Sequence, residues 1–266
     1  MSNDSTRKTL TVALGVCLVC SILVSSAAVT LQKIQDENKR VDKLKNILIA
    51  GNLYDENTNV QKTFEEKIRG TIIDLATGKP IPESDYNQVL NVENFDIKSV
   101  ARSEKYGERV PADIDIADVK FIPKFITVYK VMNNDNKMDE IILPIYGYGL
   151  WSTMYGFLAL DHDLTTIRGI TFYEDGETPG LGGEINNPAW KKLWVGKQAF
   201  DDQKNVRISV IKGTVDESSP DAKYEVDGLS GATLTSRGVD HTAHFWLGEH
   251  GYGPYLDNLR EDMLNE

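Results

Sequence analysis

Thr153-Met-Tyr-Gly-Phe-Leu-Ala-Leu160 and Ile167-Arg-Gly-Ile-Thr-Phe-Tyr173, joined through Asp161-His-Asp163, decide the fold class of this chain. Both runs are short, β-branched and aromatic, and the polar joint between them marks a turn, so together they read as a hairpin. Phe125-Ile-Thr-Val-Tyr-Lys-Val131 and Glu140-Ile-Ile-Leu143 read the same way around the turn Asn133-Asn-Asp-Asn136. Asn205-Val-Arg-Ile-Ser-Val-Ile211 adds a further strand. Helical spacing frames these runs on both sides. It predicts a helix over 60–75, with Phe64, Ile68, Ile72 and Ile73 on one face, before the break Gly78-Lys-Pro-Ile-Pro82. It predicts another over 237–247, with Val239, Ala243, Trp246 and Leu247 as its apolar stripe. Residues 83–118 are polar and irregular, and no internal repeat occurs. The expected architecture is α+β: a mainly antiparallel sheet flanked by helices.

The N-terminal part obeys a different rule. Residues 10–31 contain no charge and are dominated by Val, Leu, Ile, Ala and Cys. Roughly 20 apolar residues suffice to cross a bilayer core, so a transmembrane helix is expected there, after a short tail over 1–9. Arg7 and Lys8 before the run and Ser25-Ser-Ala-Ala28 within it also fit a cleaved signal peptide, whose apolar core is shorter. The length of the run favours an uncleaved anchor. Residues 32–51 read as a helical stalk, with Val41, Leu44, Leu48 and Ile49 at helical spacing and Gly51 as its stop. One domain then fills 52–266.

Charge and cysteine content narrow the function classes. A net charge of −11 excludes nucleic acid as a partner, because phosphate backbones demand a basic face. Cys17 and Cys20 both lie in the apolar run, and the rest of the chain has no cysteine, so no disulfide framework exists. Cys-x-x-Cys is able to bind metal or do redox work; on a membrane helix it reads as two small apolar residues. Five basic residues, Lys33, Lys39, Arg40, Lys43 and Lys45, follow the apolar run, against Arg7 and Lys8 before it. A positive-inside count therefore places the large domain in the cytoplasm.

Three stretches carry candidate chemistry. Ser230-Gly-Ala-Thr-Leu-Thr-Ser236 follows Asp227 and opens a helix, so small residues, a hydroxyl and free amides meet where a phosphate would sit. The same run also reads as a plain Ser/Thr turn. Thr235 or Ser236 is the expected helix cap, and neither is followed by the Glu or Gln of a capping box. Gly147-Tyr-Gly-Leu-Trp-Ser152 reads either as a strand-end turn or as a wall for a planar ring. Glu177-Thr-Pro-Gly-Leu-Gly182 is a punctuated loop after a strand. His241 and His244 are three apart with Asp240 and His250 nearby, yet no recognised zinc spacing results, so they read as a solvated or partner-facing pair. No Gly-x-Ser-x-Gly nucleophile setting is present.

Asp227-Gly-Leu-Ser-Gly-Ala-Thr233 resembles the motif at which FMN-binding proteins of the Na+-NQR and Rnf redox pumps are flavinylated. Thr233-Leu-Thr-Ser-Arg-Gly-Val239, Phe245-Trp-Leu-Gly-Glu-His-Gly-Tyr-Gly-Pro-Tyr-Leu256, Gly147-Tyr-Gly-Leu-Trp151 and Glu177-Thr-Pro-Gly-Leu-Gly182 extend the similarity to the C-subunit family of sodium-translocating NADH:quinone oxidoreductases. The resemblance covers nearly the whole chain, including its apolar segment. It implies FMN held as a phosphoester on Thr233, with Ser230, Gly231, Ala232 and Thr235 about the phosphate. It places Gly149, Trp151, Glu177, Thr178 and Leu181 beside the flavin. It further implies an electron relay without turnover of its own, partnered by the other subunits of a membrane redox complex and matured by a flavin transferase. Against the charge count, it puts the domain on the periplasmic side of a bacterial inner membrane. Two alternatives stand beside it: the related Rnf flavoprotein, and a membrane-tethered binding or assembly module without flavin.

Overall fold

The computed structural model describes residues 6–265. The chain divides between Asp42 and Lys43 into two compact units. In the first, helix α1 (Thr6–Ala50) contains a stretch, Thr6–Gln32, long and apolar enough to cross a membrane. Its large apolar side chains, among them Leu14, Leu18 and Leu23, are exposed, as a lipid-facing helix requires. Cys17 and Cys20 are free thiols on this stretch.

In the second unit the last turns of α1 are followed by α2 (Val60–Lys67), β1 (Ile68–Asp74) and the short β2 (Lys79–Pro80). Then come α3 (Ile97–Arg102), β3 (Gly107–Arg109), β4 (Phe121–Pro123) and β5 (Phe125–Met132). The long strands β6 (Met138–Tyr148), β7 (Thr153–Asp161) and β8 (Ile167–Glu174) form a meander; the β7–β8 hairpin is the expected one, whereas β6 runs well past the expected 140–143 and pairs along its length with β7. Helix α4 (Pro188–Lys192), the two-residue strands β9 (Ser209–Val210) and β10 (Glu225–Val226), α5 (Thr233–Leu247) and α6 (Gly253–Asn265) complete the chain. The main sheet is antiparallel throughout, in the order β2-β1-β5-β6-β7-β8.

Helices cover both faces of this sheet. On one, Ile47, Leu48 and Ala50 at the end of α1 are buried against Tyr129, Ile142, Phe157 and Ala159. Gly169 on β8 lets the chain approach closely: a side chain there would meet the Ala50 carbonyl at 2.5 Å. On the other, Val239, Ala243, Trp246 and Leu247 of α5 join Ile141, Leu143, Ile145 and Leu158 in the larger core. Two hydrogen bonds pin that helix end to β6: Trp246 Nε1 donates to the Tyr146 carbonyl at 2.6 Å, and the Tyr252 hydroxyl donates to the Pro144 carbonyl at 2.6 Å.

The stretch 83–118, read as irregular, holds α3 and β3, with Ile97, Val100 and Ala101 buried, and two further elements differ from expectation. The helix over 60–75 stops at Lys67, and Ile68, Ile72 and Ile73 lie on β1 instead. Residues four apart share a face in both periodicities, so the spacing of Phe64, Ile68 and Ile72 does not separate helix from strand. Seven-residue pairing with β5, through a glycine and β-branched residues that disfavour helix, decides it. The strand over 205–211 shrinks to β9, which pairs with β10 in parallel. Side chains of α5 take the backbone groups of that segment: Asp240 Oδ1 accepts from Val210 N–H at 2.8 Å, and His244 Nε2 meets the Ile208 carbonyl at 2.7 Å. Asp240 and His244 are thus occupied holding β9. Among the described residues no cluster able to hold a metal ion occurs, and His244 is partly buried rather than solvated.

Glu140 on β6 is buried and accepts a hydrogen bond from Arg168 Nε at 3.1 Å. Burial pushes its carboxyl up to about 7, with the Arg168 charge opposing the shift. The folded state therefore holds this proton more tightly than the unfolded chain does. The group's stabilising contribution is complete below the ordinary carboxylate range and is lost as pH rises through about 7. Relative to a Glu140→Gln variant, the native domain should lose melting temperature between about pH 4.5 and 7. Parallel slopes for the two proteins across that window would contradict this.

Candidate functional site

The site forms where the β6–β7 turn, the loop after β8 and the start of α5 converge on one buried carboxylate. Glu177 is only 6% exposed. Its Oε1 accepts from the backbone N–H groups of Leu150 at 3.0 Å, Trp151 at 2.9 Å and Ser152 at 3.3 Å. Its Oε2 accepts from the Thr235 hydroxyl at 2.6 Å. Four donors on two separate segments therefore share one side chain, and a carboxylate is the side chain with enough acceptor sites for them. The Ser152 hydroxyl completes the tie by accepting from Gly176 N–H at 2.6 Å.

Glycines make this convergence possible. A side chain on Gly149 would come within 2.5 Å of Glu177 Oε1, and one on Gly182 within 2.5 Å of Thr235 Oγ1. Gly238 lets α5 lie directly on the turn, since a side chain there would reach the Tyr148 carbonyl at 2.4 Å. Each is a close approach rather than a matter of backbone freedom. Gly231 is different: its φ of +74° belongs to the left-handed region and shapes the turn that leads into α5.

That turn is held from below. The Ser236 hydroxyl accepts from Leu229 N–H at 2.9 Å, and Ala232 N–H donates to the Leu229 carbonyl at 3.1 Å. Asp227 anchors the approach, its Oδ1 accepting from Val215 N–H at 2.8 Å and its carbonyl from Trp190 Nε1 at 2.8 Å. Helix α5 begins at Thr233, earlier than the periodicity predicted, so Thr235 and Ser236 lie inside its first turn and neither is the cap. The residue at the cap position, Ala232, offers no side-chain acceptor. The first amides of the helix are left without a capping group, at the positive end of its dipole.

Of the residues singled out from sequence, Ser230, Gly231 and Thr233 are exposed at this helix start, while Ala232 is buried beneath it. Thr178 is exposed, and its carbonyl accepts from Leu181 and Gly183 N–H groups, curling the loop. Trp151 is 65% exposed and Leu181 44% exposed, large apolar groups on neighbouring loops. Leu181 lies within reach of the turn, its Cδ2 being 3.1 Å from where a side chain on Gly231 would start. Glu177 and Thr235, in contrast, are interior and form the frame rather than the open surface. Leu150 and Leu234 were not anticipated: both are exposed, beside Trp151 and Thr233. An apolar residue next to a glycine turn, or at an outward position of a first helical turn, is the signal that marks them.

An exposed hydroxyl at an uncapped helix start, rimmed by exposed apolar side chains, suits a ligand with a phosphate at one end and a planar apolar ring at the other. The family model described as an FMN-binding domain matches residues 149–248, which contain all three segments of the site. Similarity extends far beyond that segment. The Na(+)-translocating NADH-quinone reductase C subunit of Pseudomonas aeruginosa is 45% identical over 98% of this chain and 98% of its own length. The protein of the same name from Haemophilus ducreyi is 46% identical over 97% of this chain and 96% of its own. The crystal structure of Shewanella oneidensis NqrC superposes with a TM-score of 0.76, at 34% identity, over 84% of this chain and 99% of that one. The chain belongs to the C-subunit family of the Na(+)-translocating NADH-quinone reductases.

Proposed function

We propose that this chain is the flavin-carrying electron relay of a membrane complex that oxidises NADH with quinone and exports sodium, with FMN esterified through its phosphate to Thr233. The observation that carries this reading is the Thr233 hydroxyl, exposed on the first residue of an uncapped helix. Ser230, Gly231 and Ala232 bring backbone rather than bulk to the phosphate, and the amides of α5 face its charge. Trp151 and Leu181 flank the ring, with Gly149 and Thr178 at its margin, and Glu177 and Thr235 keep the two loops in register. FMN supplies reversible electron uptake, and a phosphoester leaves the ring's electronics untouched, so attachment serves retention and position. Membership of the C-subunit family favours this over the Rnf flavoprotein and over a flavin-free tether.

Mass spectrometry of the natively expressed protein tests it. A peptide bearing an FMN adduct should appear, with fragment ions placing the adduct on Thr233; an adduct on Thr235 or Ser236 would overturn the assignment. Co-expression with a flavin transferase should be required for colour. Truncation of Trp151 or Leu181 to Ala should leave the ester intact yet shift the flavin spectrum and raise its fluorescence. Each removes an apolar face worth roughly 1.5–3 kcal/mol when covered. Native spectra from both variants would place the ring elsewhere.

The span at 10–31 would anchor the protein in the bacterial inner membrane, with 32–51 as a stalk to the domain on the periplasmic side. Most basic residues after the span begin a turn or more beyond it, and long domains translocate largely regardless of charge. A reporter active only outside the cytoplasm, fused after Glu266, should therefore be active. Activity of a cytoplasm-only reporter at the same point would show that the basic residues govern orientation.

A further inference from the structure

We propose that the cleft between α3 and the β6–β7 hairpin is a second ligand site, one that binds a small planar anion: an aromatic ring carrying a carboxylate or a phosphate. The cleft has a volume of about 280 Å³, room for one such ring and its charged group. Its floor is aromatic. Tyr146 and Tyr155 are cross-strand partners with rings stacked 5.3 Å apart and 24° from parallel, and Tyr148 continues the surface. The Tyr146 hydroxyl donates to the Phe121 carbonyl at 2.6 Å and its ring is buried between Tyr155 and Trp246, so it backs the floor, while the half-buried Tyr148 and the exposed Phe121 present aromatic surface to the cleft.

The rim is cationic. Lys98, Arg102 and Lys120 line the cleft with Asp118, and Glu174 pairs with Lys98, which leaves one positive charge in excess. This is a local reversal in a chain with 29 basic and 40 acidic residues, so it is not a sample of the general surface. Lys98 is paired with Glu174 and lies 4.4 Å over the Tyr155 ring; Lys120 is 3.7 Å from Asp118 and 5.7 Å over the Tyr148 ring. Arg102 has no hydrogen bond or ion pair among the described residues, and its planar fork of donors is suited to a carboxylate or phosphate. Aromatic floor and unpaired guanidinium together select for a ligand that is both flat and negative.

The site is distinct from that of the flavin. No residue of α5 or of the loop after β8 lines it, and the position between Tyr146 and Tyr148, Gly147, turns towards Thr242 of α5. They touch through the Tyr148 hydroxyl, which donates to the Trp151 carbonyl at 3.1 Å, and through the Tyr146 ring, which packs against Trp246 of α5 with centroids 4.9 Å apart.

Calorimetric titration of the full-length protein in detergent tests the proposal. Benzene-1,2-dicarboxylate and phenyl phosphate serve as probes; inorganic phosphate and benzyl alcohol each present half of the chemistry. At least one aromatic anion should bind more tightly than both half-ligands, and whichever is tighter identifies the anionic group. Arg102→Ala, an exposed change at a helix end, should weaken binding by about tenfold, as the loss of a charge-assisted fork implies. Tyr148→Leu should also weaken it, whereas the remote Arg207→Ala should leave it unchanged. The proposal fails if neither aromatic anion binds, if inorganic phosphate binds equally well, or if Arg102→Ala is without effect. Binding seen only where the flavin is absent, in Thr233→Ala, would assign the ligand to the emptied flavin site and overturn it equally.

Discussion

Thr233→Ala is expected to remove covalent flavin completely, leaving a folded protein whose denatured band is colourless and non-fluorescent. The expectation rests on position. Thr233 is the exposed first residue of α5, so truncating its hydroxyl breaks no internal hydrogen bond and alanine is the better helix former. Attachment and stability are thereby separated: melting should be unchanged apart from whatever the ligand contributes. The control two residues on behaves in the opposite way. Thr235→Ala should keep the flavin, because its hydroxyl is buried and committed to Glu177 at 2.6 Å. It should instead cost about 1–3 kcal/mol, the range for a buried hydrogen bond broken on one side. Fluorescence of the denatured band and a denaturant titration read the two effects independently. Residual covalent flavin in Thr233→Ala would move the ester to another hydroxyl of the same turn, and a flavin-free Thr235→Ala would do so directly.

The contrast between these two threonines shows what a sequence makes legible. The hairpin of β7 and β8 could be read because each strand is a compact apolar run on either side of a polar joint, whereas β6 could be read only over 140–143 because Pro144 and Gly147 interrupt its run. The turn over 230–233 could be read because its small residues are contiguous. β1 could not, because its isoleucines are spaced by four and satisfy both periods; pairing with β5, a strand far along the chain, settles the matter. The frame of the site was hidden for the same reason. That Glu177 meets Thr235 and the amides of 150–152 depends on three segments brought together by the sheet and α5, and no spacing along the chain records it. Asp240 and His244 illustrate the converse. By spacing His241 and His244 read as a solvated or partner-facing pair, whereas the tertiary structure commits His244, with Asp240, to the backbone of β9.

Glu177→Ala is expected to be the most destabilising single change at the site. Removing the carboxylate strips the acceptor from the amides of Leu150, Trp151 and Ser152 and from the Thr235 hydroxyl. Each orphaned donor in a buried setting costs about 1–3 kcal/mol, and water entering the vacated space recovers part of the sum, so a net loss of roughly 3–5 kcal/mol follows. For a domain of this size that corresponds to a fall in melting temperature on the order of 10 °C. Glu177→Gln discriminates between the possible causes. Its amide oxygen can still serve the three backbone donors, and the Thr235 hydroxyl is free to turn and accept from the new amide, so less than half of the loss should remain. If charge rather than acceptor capacity holds the loops together, the glutamine variant will melt as low as the alanine one. A Glu177→Ala domain within about 1 kcal/mol of the native protein would mean that the two loops are held by packing alone. The same pair of variants reaches function through position: with the 149–152 turn released, Trp151 loses its fixed backbone. Flavin fluorescence should then rise in Glu177→Ala under conditions where the domain is still folded, and stay near native in Glu177→Gln.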